Sequence, residues 1–123
     1  MNITTIGRII FALVVAVFGV FHLTNANAMS AMIPSFLSGM AVPLVYITGF
    51  CLIAAAISII INRYTYYSGI LLAIFLIITI MMIHVLGLSD PDPMRAQMSM
   101  SSILKDAAMA AAALVIAGIG KKS

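Results

Sequence analysis

The sequence predicts an all-α fold, an integral membrane four-helix bundle with a short amphipathic segment between helices 1 and 2. Hydrophobic residues make up 64% of the 123 residues, and charged residues only 7%. A water-soluble domain carries roughly 25% charged residues. Charged side chains are absent from residues 9–62 and again from residues 64–89. Because so few charges cannot cover a water-facing surface, we expect lipid to surround most of the chain.

The apolar sequence divides into four stretches, each long enough to cross a bilayer, which takes about 20 residues in a helix. Helices are expected because lipid offers no hydrogen-bond partner to the backbone outside its own segment. We treat the whole chain, residues 1–123, as one transmembrane domain. The predicted spans cover residues 5–23, 42–61, 68–88 and 99–119.

The first stretch has a second interpretation as a secretory signal. Arg8 precedes the apolar run, and the small residues Ala26-Asn27-Ala28 follow it in the pattern of a cleavage site. We interpret the stretch as the first span and expect it to be retained.

Basic residues predict the orientation, because cytoplasmic loops of membrane proteins are enriched in lysine and arginine. With four spans, the two termini and the middle loop share one side of the membrane. That side carries Arg8, Arg63, Lys121 and Lys122. The other side carries Arg95, with Lys105 just inside the fourth span. We therefore predict a multi-pass protein of the cell inner membrane with both termini in the cytoplasm.

The first outer connection, residues 29–40, has the apolar spacing of an amphipathic helix. Such a segment either lies in the membrane interface or folds back over the bundle as a lid. Its apolar positions are Met29, Met32, Ile33, Phe36, Leu37 and Met40.

The fourth span is rich in alanine between Ala107 and Ala113. Small residues allow helix backbones to approach closely in lipid. This surface predicts close packing within the bundle or against other membrane subunits.

Four polar side chains within the spans are candidate ligand-binding residues, because ionisable groups in a membrane are costly. Measured from the cytoplasmic ends at 1.5 Å per residue, His22 and His84 lie at roughly the same height, about 21–24 Å. Lys105 and Asp106 fall near the same level. Two interpretations stay open: interfacial side chains whose polar tips reach water, or an outward-facing polar pocket for a quinone, a proton or a metal.

A copper site is a further alternative, because thioethers and imidazoles suit Cu(I). Its candidate ligands are His22, His84, Met81 and Met98, although the methionines match no tight copper motif. Cys51 is the only cysteine, so no disulfide, redox pair or thiolate metal cage is expected. Scattered basic residues predict no nucleic-acid partner, and recognisable catalytic motifs are absent.

Short motifs in the first half of the chain resemble the DoxX and DoxX-like family of small four-helix membrane proteins. They are FGVFHL at residues 18–23, MIP at 32–34 and VYITG at 45–49. The resemblance implies a role in membrane redox or oxidative-stress complexes, and it matches His22 to the family's histidine. Many members carry an acidic residue just after the glycine of span two. This chain has Phe50, Cys51 and Leu52 there, which weighs against carrying over a charged site.

Taken together, these features predict an accessory or assembly subunit of a quinone-linked redox complex, in contact with the lipid bilayer and with other subunits through the Ala107–Ala113 face. Catalytic residues are unassigned, and a quinone is the only cofactor suggested. The alternatives are a stand-alone quinone-reactive oxidoreductase and a periplasm-facing copper-handling protein.

Overall fold

The computed structural model describes residues 2–31 and 39–123, and their fold is all-α. The helices are α1 (Ile3–Thr24), α2 (Ala26–Ser30), α3 (Ala41–Ile61), α4 (Thr65–Gly87) and α5 (Pro93–Ile119). All except the short α2 are long and apolar enough to cross a membrane. The predicted four-helix bundle is therefore confirmed. Most of the predicted amphipathic segment 29–40 lies outside the described residues.

Local signals set the helix ends. Asn2 caps α1, its side chain accepting a hydrogen bond from the backbone N–H of Thr5 at 2.8 Å. Asn62 ends α3 in the left-handed conformation, with φ of 54°, which asparagine tolerates better than most residues. Asp92 caps α5 through the N–H of Met94 at 3.0 Å, and Pro93 occupies the first turn. This cap starts α5 six residues before the predicted span at residue 99. Hydropathy did not indicate the earlier start, because the first turns of the helix are polar.

The bundle is built from two closely packed helix pairs. In the first pair, α1 crosses α3 at Gly19 and Gly49, where a methyl group added to either glycine would lie 3.0 Å from the other's carbonyl oxygen. In the second, α4 crosses α5 where Gly69 meets Ala113 and Ala117. Van der Waals packing of this kind drives helix association in lipid, where the hydrophobic effect between helices is small.

A core of small and branched side chains joins the two pairs, while many large apolar residues remain exposed on the outer surface, as a lipid-facing bundle requires. The alanine-rich surface of α5 is divided between these environments. Ala110 and Ala113 are buried in the bundle, whereas Ala107, Ala108 and Ala111 are exposed. The prediction of close packing therefore holds for one side of this surface.

Both termini and the α3–α4 connection meet at one end of the bundle. The Arg8 guanidinium donates hydrogen bonds to the carbonyl oxygens of Ile59 and Ile60 at the end of α3, where the helix dipole favours a cation. The N–H of Tyr66 donates to the carbonyl oxygen of Lys121 at 3.0 Å. We call this the basic end. The end of α1 at Thr24, the start of α3 at Ala41 and the α4–α5 connection define the opposite end.

Candidate functional site

A cavity of about 220 Å³ lies between the four long helices, in the half of the bundle away from the basic end. Most of its wall is apolar, contributed by residues such as Val15, Leu52, Leu76 and Ile83. Its polar lining residues are His22, Thr48, Thr79, His84, Lys105 and Asp106. All four residues predicted from the sequence as ligand-binding candidates therefore line a single cavity.

Asp106 is the centre of the polar wall. The residue is only 4% exposed, so its carboxylate has little water to stabilise a charge. His84 Nε2 lies 3.1 Å from one carboxylate oxygen, and Lys105 Nζ lies 3.3 Å from the other. Buried charges are tolerated when they are paired in this way. Both oxygens of Asp106 therefore have a basic partner.

His84 reaches this position from an irregular part of α4. Residues Ile80–His84 form a π-helical turn, in which the N–H of Val85 donates to the carbonyl oxygen of Ile80, five residues earlier. Such turns hold one residue more than an α-helical turn, and they occur often at functional sites. Here Ile83 and His84, the last two residues of the turn, both lie on the cavity wall.

Lys105 lies partly outside the cavity, with its side chain 47% exposed. Its ammonium group lies 4.5 Å from the centre of the Phe18 ring on α1, a favourable cation–π distance. Because Phe18 and Asp106 both attract the ammonium, Lys105 is held at the edge of the cavity. Its protons are hydrogen-bond donors at the edge of the cavity.

His22 lies on the α1 side of the cavity and has a defined hydrogen-bonding role. Its Nδ1 lies 2.6 Å from the carbonyl oxygen of Phe18. A carbonyl oxygen only accepts, so Nδ1 carries the proton and donates. In a neutral imidazole this leaves Nε2 as an acceptor. The cavity therefore combines an acceptor on α1 with the donors of Lys105 on α5.

The methionines that line the cavity are not the two that the sequence suggested as copper ligands. Met81 and Met98 are each 64% exposed and do not line the cavity. Met29 and Met109 line it instead. Among the described residues, no group of three or more His, Cys, Asp or Glu side chains could hold a metal ion.

Among the lining residues that were not predicted, Thr48 and Thr79 are polar and Phe18 contacts the Lys105 ammonium. The histidines were selected because they are polar residues within a span. The two threonines are also polar residues within a span, so the same criterion could have identified them. Phe18 carries no such signal, because its role depends on the position of Lys105 across the bundle.

The fold and the cavity define a polytopic α-helical membrane protein with one buried acidic group and two basic partners in a mainly apolar cavity. The chain belongs to a family described as "Domain of unknown function (DUF8561)", whose sequence model matches residues 11–117. No curated protein and no solved structure gives a significant match to this chain.

Proposed function

We propose that this membrane protein binds the polar head of a membrane-soluble amphiphile in its cavity, and that the head is a quinone or its reduced quinol. One observation carries the proposal: His22, His84, Lys105 and Asp106 come from three helices and line the same cavity. Ionisable groups inside a membrane bundle usually mark a functional site, because burying them is costly.

The size and chemistry of the cavity favour a single substituted ring. An apolar protein cavity of about 150 Å³ accommodates benzene, and this cavity measures about 220 Å³. Lys105 is positioned to donate to a quinone carbonyl oxygen. His22 Nε2 is suited to accept from a quinol hydroxyl, since its Nδ1 is already committed to Phe18.

We further propose that the chain acts as an accessory subunit of a membrane redox complex, in the inner membrane with both termini in the cytoplasm. The resemblance of residues 18–23 and 45–49 to DoxX-like proteins supports the redox context. The exposed side of the alanine-rich surface, Ala107, Ala108 and Ala111, supports a docking role for α5, since small residues favour close helix contacts in lipid.

Ligand binding is tested by purifying the protein in mild detergent and measuring its thermal unfolding with and without quinone. A ligand that binds only the folded state at a hundred times its Kd stabilises that state by about 2.7 kcal/mol. We expect stabilisation of the unmodified protein and a much smaller effect in His22→Ala. Equal stabilisation of both proteins would show that the quinone binds elsewhere, and no stabilisation would rule out the proposal.

The accessory role is tested separately, by isolating the protein from native membranes and identifying co-eluting proteins by mass spectrometry. We expect redox subunits in stoichiometric amounts, and we expect Ala108→Phe to release them without unfolding the chain. Isolation of the protein alone with bound quinone would contradict the accessory role and leave ligand binding intact.

A further inference from the structure

A groove on the lipid-facing side of the bundle runs along the seam between α3 and α4, next to the cavity. Its volume is about 470 Å³. Thr48, Leu52, Leu72 and Phe75 line both the cavity and the groove. These side chains border both spaces, so only side chains separate the polar cavity from the surface that faces the bilayer.

The seam is open because of how the helices pair. The close crossings at Gly19–Gly49 and Gly69–Ala113 hold α1 to α3 and α4 to α5, whereas α3 and α4 contact each other much less. On the α3 side the groove is lined by the small residues Cys51, Ala54 and Ala55. These leave space opposite the larger side chains of α4.

The groove has a closed end and an open side. Near the α3–α4 connection the hydroxyl groups of Ser58 and Ser68 lie 2.6 Å apart, joining the two helices. Further along, Ile47 and Leu71 line the groove and are 59% and 66% exposed. The opening thus begins beyond the Ser58–Ser68 contact and faces sideways, toward lipid chains.

We infer that the seam between α3 and α4 is a lateral opening that holds the hydrocarbon tail of the ligand while its ring occupies the cavity. The inference rests on the proposed function. An amphiphile with a ring head and a single long chain matches this arrangement, because the cavity has room for the ring and the groove is the adjoining apolar space, reached when the side chains that border both move apart. Since lipid is as apolar as the groove, the groove guides the tail and adds little affinity.

The test uses two fully substituted dimethoxy-benzoquinones that differ only in whether the last ring position carries a methyl or a decyl group. Full substitution leaves no open ring position for a thiol to attack. Cys51 lines the groove, is exposed, and is the only cysteine in the chain. Maleimide labelling of the protein in lipid nanodiscs, followed by intact mass, therefore reports on the groove alone.

We expect the decyl quinone to slow labelling of Cys51 by about tenfold, which corresponds to about nine-tenths occupancy of the site, and the methyl quinone to leave the rate unchanged. His22→Ala serves as the control for quinone that is merely dissolved in the bilayer: in this variant the decyl compound should give no protection. Stabilisation by the decyl quinone without protection of Cys51 would overturn the lateral opening and leave the proposed function standing. Failure of both quinones to bind would overturn both.

A second experiment blocks the groove with an alanine-to-phenylalanine change. The same change at an exposed alanine outside the groove and the cavity is the control. Ala55 lines the groove and not the cavity, whereas Ala28 is exposed on α2 and lines neither. Ala55→Phe should weaken binding of the decyl quinone at least tenfold and spare the methyl quinone, while Ala28→Phe should affect neither. Equal loss of both quinones in Ala55→Phe would contradict a role confined to the tail.

Discussion

The carboxylate of Asp106 occupies an environment in which its charge depends on two neighbours. Water reaches little of the residue, and His84 and Lys105 lie 3.1 and 3.3 Å from its two oxygens. When one partner of a buried charged pair is removed, the remaining group loses its compensation. The carboxylate therefore both organises the polar wall and holds the two basic side chains at the cavity.

Asp106→Asn tests this role, because it removes the charge and keeps the size of the side chain. We expect a loss of about 1–3 kcal/mol in unfolding free energy and weaker quinone binding, because Lys105 is no longer held at the cavity edge. Thermal unfolding in detergent, with and without quinone, measures both the stability and the binding.

Asp90→Asn provides the matched control. Asp90 accepts a hydrogen bond from the N–H of Asp92 in the outer turn, and the asparagine oxygen can accept the same bond. Near-wild-type stability and binding are expected for this variant. If Asp106→Asn behaved like Asp90→Asn, the carboxylate would have no special role in the cavity.

At the scale of the helices, close crossings at small residues hold the two pairs together. A methyl group added to Gly69 would lie 2.6 Å from the carbonyl oxygen of Ala113 and 2.7 Å from Cβ of Ala117. Backbone atoms cannot move out of the way without separating α4 from α5. The same two helices carry His84 and Asp106.

Gly69→Ala should therefore destabilise the protein, by about 1–3 kcal/mol, as overpacking usually does. Gly7→Ala is the matched control, because nothing lies within 4 Å of the added methyl group. Alanine is favoured over glycine in a helix by about 0.5–1 kcal/mol, so the control should be neutral or slightly stabilising. Thermal unfolding of the two variants measures this difference. Equal effects would show that the α4–α5 crossing is not tightly packed.

The π-helical turn is the second feature at this scale, and it leads to a prediction about deletions. Leu76 and His84 both line the cavity, although they are eight residues apart. Two turns of α-helix contain 7.2 residues. Removing one residue from the turn, such as the exposed Met81, should thus give a regular α-helix with His84 still on the cavity side.

Deletion of Met81 is accordingly expected to preserve quinone binding and helicity. Deletion of Ile74, which is also exposed but lies in regular helix, should rotate one part of α4 by about 100° relative to the other. Either Gly69 or His84 then loses its contacts. Circular dichroism and thermal unfolding with quinone distinguish the two variants, and loss of binding in the Met81 deletion would refute our account of the turn.

At the scale of the whole molecule, hydropathy was sufficient to predict the bundle, since a charge-free stretch of span length leaves a helix as its only stable form in lipid. The height of a residue along a helix follows from counting, which is why His22, His84 and Lys105 could be placed at one level. Rotation about the helix axis does not follow from counting. It is set by contacts such as Gly49 with Gly19, and by the π turn, which no sequence pattern indicated.

The orientation of the protein in the membrane is a prediction that concerns the whole molecule. The basic end carries Arg8, Arg63, Lys121 and Lys122, and the tail of the chain packs there, with Lys122 over the Tyr66 ring at 4.7 Å. Enrichment of cytoplasmic segments in basic residues predicts that this end lies inside the cell. In that orientation the cavity would belong to the outer half of the membrane.

Single cysteines at the two ends measure this orientation directly. In a Cys51→Ser background, Ser89→Cys should react with a membrane-impermeant maleimide added to intact cells. Ser123→Cys should react only after the cells are lysed. The reverse pattern would place the basic end outside and the His84–Asp106 pair in the cytoplasmic half. Because the proposed lateral opening faces lipid chains, tail access to the cavity is expected in either orientation; the measurement therefore decides which half of the membrane contains the cavity.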